Sequence, residues 1–252
     1  MWHDVVDLRE FYETRRGQVA RHMVRRAVRS VWPDVTGQSV LGLGFATPYL
    51  RQFKGEAERT LAFMPASQGV MHWPPEGPGL VSLVEETELP LPDYSVDRVL
   101  LVHGLENSEA LRDLLREIWR VLTGDGRLLV VVPNRRGIWA RSDRTPLGWG
   151  HPYSGAQLSR LLRDNMFIPA RTERALYVPP IANFTFLRSA PAWERMGARF
   201  FPTFAGVVMI ESGKQLYAGT MTPAKQRKFR RPVVVSLPQV AGRMHRHTPD
   251  ES

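Results

Sequence analysis

Val40-Leu41-Gly42-Leu43-Gly44-Phe45-Ala46-Thr47-Pro48-Tyr49-Leu50 reads as a buried strand, a tight turn and the first turn of a helix. In an α/β protein this junction is where a nucleotide-like ligand is held. Gly42 and Gly44 either permit the turn or let backbone approach a ligand. Thr47 suits a helix N-cap and Pro48 the first helical position.

The chain on either side supports an α/β reading. Upstream, residues 5–31 look helical in two pieces, with Val19, Met23, Ala27 and Val31 on one face and Gly17 marking a break or a close contact. Downstream come short strand candidates at Leu61–Phe63, Leu80–Val84 and Val96–Val102. Residues 108–122 form the clearest helix. Leu111, Leu114, Leu115, Ile118 and Leu122 share its apolar face, and Ser108 is its expected cap. Thr123–Gly126 should stop that helix. Arg127–Val132 follows as a near-continuous apolar strand, the pattern of a strand covered on both faces. Ser154 and Gln157 have capping-box spacing ahead of Leu158, Leu161 and Leu162. Residues 172–178 and 205–211 read as late strands that form an antiparallel edge. Strand–helix–strand alternation predicts a doubly wound, mostly parallel sheet with a ligand crevice at the carboxyl ends of strands one and four.

Composition narrows the function classes. The chain has 252 residues, no cysteine and a formal charge of +9. Without cysteine there are no disulfides, thiolate metal sites or cysteine nucleophiles, which fits a cytoplasmic protein. No apolar run has the length of a membrane span, and Asp4, Asp7, Arg9 and Glu10 make the N-terminus unlike a secretory leader. Much of the positive charge sits in residues 221–252, a tail read as disordered apart from a possible strand at Val233–Val235. That distribution argues for a solvated or partner-binding extension and against a nucleic-acid reader. His245 and His247 stand alone in the tail, so no metal site is expected. A phosphate loop with lysine, a Gly-x-Ser-x-Gly elbow and a His-Glu-x-x-His motif are all missing from the sequence, which leaves hydrolase and nucleotide-triphosphatase readings without support.

Three segments in order carry a family resemblance. Residues 40–50 resemble the first loop of the class I S-adenosylmethionine (SAM) methyltransferases, particularly the type 11 small-molecule group, which usually reads V-L-D-L-G-C-G-T-G-Y-L. Leu89-Pro90-Leu91-Pro92-Asp93-Tyr94-Ser95-Val96-Asp97-Arg98-Val99 is similar to the group's L-P-F-P-D-x-S-F-D-x-V. The third, from Leu111 to Val121-Leu122 and on through Gly126-Arg127-Leu128-Leu129-Val130-Val131-Val132-Pro133-Asn134, resembles its helix and fifth strand. The resemblance implies a Rossmann-like fold with a seven-stranded, mostly parallel sheet and helices on both faces. It also implies a methyltransferase-like domain over residues 1–220: N-terminal helices at 5–32, a cofactor half at 36–135 and a substrate-side half at 136–220.

The same resemblance places the candidate site. SAM would lie against Gly42, Gly44, Phe45 and Ala46, with Met64 and Pro65 at the end of strand two, Glu85 and Glu86 at the end of strand three, and Tyr12 on a closing helix that also carries Arg16. His103, just after strand four, is the candidate catalytic base. Several letters depart from the family. Gly42 and Met64 stand where the family has carboxylates, Pro48 replaces a glycine and has no N–H to offer, and Phe45 and Ala46 are larger than the usual residues. Losing two charge-assisted contacts weakens a ligand by about 2–4 kcal/mol. Trp139, Trp149, His151 and Tyr153 either wall an acceptor pocket or pack a long loop. Two functions remain: SAM-dependent methyl transfer to a small-molecule acceptor, or a non-catalytic methyltransferase-like subunit with a protein partner or a second copy. Nucleic acid and membrane are not expected as partners.

Overall fold

A computed structural model describes residues 4–180 and 189–216. Seven strands form one sheet: β1 (Ser39–Gly44), β2 (Arg59–Pro65), β3 (Val81–Val84), β4 (Val96–Val102), β5 (Leu122–Pro133), β6 (Phe167–Ala175) and β7 (Val207–Lys214). The order is β3-β2-β1-β4-β5-β7-β6. The first five strands are parallel, and β7 runs antiparallel to both β5 and β6. The antiparallel strand therefore lies one place inside the sheet, with β6 outermost.

Alternate side chains on each strand go to opposite faces, and both faces are covered. Val40, Leu100, Leu129, Val131 and Met209 pack toward helices α1 (Val5–Glu13), α2 (Arg15–Val31) and the single turn α3 (Thr47–Leu50). Leu41, Leu43, Val99, Leu101 and Val130 pack toward α4 (Leu111–Val121) and α5 (Gly155–Asp164). A sixth helix, α6 (Ala190–Phe200), precedes β7. These elements form one compact unit that ends at Leu216, and the expected tail falls on residues 217–252, outside the described residues.

Local chemistry shifts several expected boundaries. Helix α4 starts at Leu111 with Ala110 in the cap position and no side-chain cap, because the Ser108 hydroxyl donates to Glu86 Oε1 instead. No loop separates α4 from β5; Leu122 caps the helix and opens the strand. Strand β6 begins earlier than expected and β7 ends later, paired along their lengths. The Ser154–Gln157 capping box is present as expected. In the first loop Ala46, not Thr47, takes the N-cap position, and Thr47 opens the turn.

The break between the first two helices falls at Thr14, which caps the end of α1 and the start of α2. Its hydroxyl donates to Phe11 O at 2.6 Å and accepts from Gly17 N at 3.0 Å. Gly17 is the close contact: a β-carbon there would lie 1.9 Å from Phe11 O. This elbow presses α2 onto α1 and fixes where Tyr12, on the last turn of α1, points.

Candidate functional site

The strand order reverses between β1 and β4, and the carboxyl ends of these two strands are the place where open α/β sheets hold ligands. Gly44 ends β1 at φ 76°, and a β-carbon on it would meet Val102 O at 2.3 Å. Only glycine allows the first loop to lie this close to the end of β4. His103, the next residue along, takes φ 52°. That left-handed conformation is uncommon for a non-glycine residue and is held by surrounding contacts. Here Gln68 and Asn107 both donate side-chain N–H groups to the His103 carbonyl.

Side chains occupy the crevice. Tyr12 stacks on Phe45, with ring centroids 5.8 Å apart and 13° between planes. Its hydroxyl lies 2.8 Å from the Tyr49 hydroxyl and 2.8 Å from His103 Nε2. On the far side of the imidazole, Nδ1 is 3.3 Å from Glu106 Oε1. Burial raises the Tyr12 hydroxyl well above the ordinary phenol range, helped by the nearby Tyr49 and Glu106, and burial raises Tyr49 too. Both phenols therefore stay protonated at neutral pH. Tyr49 can donate to Tyr12 and Tyr12 to Nε2, which leaves the imidazole proton on Nδ1 facing Glu106, whose two carboxylate oxygens are buried without a hydrogen-bond partner among the described residues. The void left among Tyr12, Tyr49, His103, Glu106 and Leu147 is about 10 Å³, the space of a single water.

The altered first loop is packed as core. A β-carbon on Gly42 would sit 2.4 Å from Leu50 Cδ1 and 2.9 Å from Ala46 Cβ. The space that a carboxylate would need holds Leu50 instead. Met64 is buried in the same apolar cluster as Tyr12, Phe45 and Tyr49. The loop after β2 is tied to α1, since Val5 N donates to Gln68 O at 2.8 Å. Arg16 bridges outward, its Nη2 donating to Arg144 O at 3.0 Å.

The acidic candidates lie in a groove that adjoins this crevice and shares Gln68 and Asn107 with it. Pro65, Glu85 and Glu86 line an open groove of about 630 Å³ with Gln68, Asn107 and Glu109. Glu85 is exposed, whereas Glu86 accepts from Ser108 Oγ and Ala110 N and so holds the start of α4. Thus Tyr12, Gly44, Phe45, Ala46 and His103 converge, while Glu85 and Glu86 line the adjoining groove. Gln68, Tyr49 and Glu106 were missed in the sequence. Glu106 had a signal, three residues after His103 at the end of a strand; Gln68 had none. The aromatic loop after β5 is partly a packing device, with the buried Trp139 donating Nε1–H to Val178 O at 2.7 Å. Among the described residues no group of three or more His, Asp or Glu is arranged to hold a metal ion.

Strand order, the antiparallel β7 and the first-loop geometry define the class I SAM-dependent methyltransferase fold. Residues 42–130 match the family model described as a methyltransferase domain. Solved structures with this fold include a SAM-dependent methyltransferase from Thermotoga maritima, at 16% identity and TM-score 0.58 over 85% of this chain and 98% of that one. A methyltransferase from Haloferax volcanii, solved with the Trm112 methyltransferase activator, gives 17% identity and TM-score 0.58 over 85% and 96%. The [4+2]-cyclase SpnF gives 22% and TM-score 0.51 over 79% and 82%. No curated protein matches the chain. At these identities the likeness establishes the fold; function rests on the site.

The family match implies SAM, and the residues present do not fit it at the crevice as folded. The void under Tyr12, about 10 Å³, holds no part of such a ligand, and of the two spaces only the groove of about 630 Å³ at the ends of β2 and β3 is open. Entry requires Tyr12 to leave. That breaks two buried hydrogen bonds at about 0.5–1.5 kcal/mol each and exposes an aromatic side chain worth about 1.5–3 kcal/mol. A micromolar ligand corresponds to about −8 kcal/mol, so a penalty of about 3–6 kcal/mol leaves submillimolar affinity at best.

Proposed function

We propose that this chain is a methyltransferase-fold protein that does not work through SAM at its switch-point crevice, and that it serves as a non-catalytic subunit, structural or regulatory. The observation that carries this reading is Tyr12 seated between Phe45 and His103. Three further features agree with it. Leu50 fills the space beside Gly42, Met64 stands in the core where the family's ribose-binding acid would be, and Pro48 lacks a donor. These changes form one repacked apolar unit rather than a scatter of lost contacts.

The groove between Pro65 and Glu85 favours a second reading. It is open and polar, and it lies at the ends of β2 and β3. In this reading α1 is a lid, SAM binds after it swings away, and His103 deprotonates a small-molecule acceptor. Thermal unfolding of the full-length protein with S-adenosylhomocysteine at about 20 μM, where a micromolar site fills and a site weakened by about 3–6 kcal/mol does not, separates the two. The non-catalytic reading expects an unchanged midpoint. A saturable rise that Glu85→Ala removes would replace it with the methyltransferase reading.

A further inference from the structure

The chain exposes an aromatic and basic surface at the carboxyl edge of the sheet. The inner face of α6 is anchored. Gly197 packs so tightly on Tyr177 that a β-carbon would fall 2.4 Å from Tyr177 Cβ, and Glu194 Oε1 accepts from Tyr177 N at 2.9 Å. The outer face and the turn beyond it carry the surface. Phe200 is 64% exposed, Phe201 55% and Phe204 46%, with Met196 beside them. Asn134 joins a second segment to this one. Its side-chain N–H groups donate to Thr203 O at 2.9 Å and Ala205 O at 2.8 Å, so Arg135, Arg136 and the exposed Ile138 lie against the Phe204 turn. Arg195 and Arg199 are exposed on α6, and the Arg199 guanidinium lies 5.7 Å from the Phe200 ring centroid.

Large side chains that could have been buried stay in water here, grouped and rimmed by arginines. Contiguous exposed apolar surface of this kind marks a docking site. The rim selects the occupant. Residues 134–142 contain no acid, and the acid of α6, Glu194, is turned inward onto Tyr177. A second copy meeting this face across a two-fold axis would set arginines against arginines. A single-stranded nucleic acid would use the rings for base stacking but gain little from Met196 and Ile138. We infer that this surface docks on an anionic lipid bilayer, with Phe200, Phe201, Phe204, Met196 and Ile138 entering the interface and Arg135, Arg136, Arg195 and Arg199 meeting acidic headgroups. Attachment is peripheral: among the described residues no helix is long and apolar enough to cross a membrane. The proposal departs from the expectation of no membrane partner, which rested on the missing membrane span.

The test is co-sedimentation of the full-length protein with phosphatidylcholine vesicles and with phosphatidylcholine–phosphatidylglycerol vesicles. Binding is expected only to the anionic vesicles, weakening with salt. Phe200→Ser/Phe201→Ser/Phe204→Ser, all at exposed positions, should lower the partition by about tenfold or more while the unfolding midpoint holds. Arg135→Glu/Arg136→Glu should do the same. No partition onto anionic vesicles overturns the proposal. So does partition that the phenylalanine variant leaves unchanged, since the charge would then act elsewhere. A concentration-dependent dimer abolished by the phenylalanine variant also overturns it, as does oligonucleotide binding abolished in the same way.

Discussion

The Tyr12 hydroxyl lies 2.8 Å from His103 Nε2, joining the N-terminal helix to the residue that follows β4. The contact spans 91 positions of sequence and crosses the crevice where this fold ordinarily admits a ligand. With Phe45 beneath the ring and Tyr49 beside it, Tyr12 is both a core residue and the closure of the site.

That double role sets the expected cost of removing it. Tyr12→Phe keeps the ring and loses the hydroxyl, leaving His103 Nε2 unpartnered, and should cost about 1–3 kcal/mol. Tyr12→Ala opens a cavity as well and should cost about 3–5 kcal/mol. Urea unfolding with intrinsic fluorescence measures both. Equal costs for the two variants would mean that the ring contributes little.

Restoring the family's first-loop acid should harm the protein. Gly42→Ala forces Leu50 and Ala46 apart and should cost about 1–3 kcal/mol, a fall in unfolding midpoint of roughly 2–10 °C. Gly42→Asp should cost more, because the carboxylate enters an apolar cluster. Differential scanning calorimetry of the two variants reads this. A Gly42→Asp protein as stable as the parent would mean that the loop has room after all.

Acid stability should depend on Glu117. Arg120 donates to both of its carboxylate oxygens, and this pairing holds the Glu117 pKa below the ordinary glutamate value. A carboxylate depressed in the folded state contributes stability that is present above its unfolded pKa, near 4.5, and lost as pH falls through the folded value. The urea midpoint of the parent should therefore fall below pH 4.5 more steeply than that of Glu117→Gln. Parallel acid limbs for the two proteins would show that this pair adds nothing.

The fold was legible because the strongest sequence patterns were local and periodic. The apolar stripe Leu114–Leu115–Ile118 and the run Leu128–Val132 set α4 and β5, and Gly44 marked the turn. Edges were less legible where side chains chose distant partners. Ser108 left its expected cap for Glu86, which no local rule anticipates. The site was half legible. Tyr12, Phe45 and His103 are candidates on the sequence alone, but their contact is not legible there, because Tyr12 and His103 stand 91 positions apart. Gln68 was invisible, since its role is set by the path of a loop and not by its own chemistry.

Isothermal titration of the full-length protein with SAM, beside Tyr12→Ala, tests the sealed crevice most directly. No micromolar binding is expected for the parent: a penalty of about 3–6 kcal/mol places half-saturation above about 0.1 mM. Saturable micromolar binding by the parent would contradict it and would make α1 a lid over a working cofactor site.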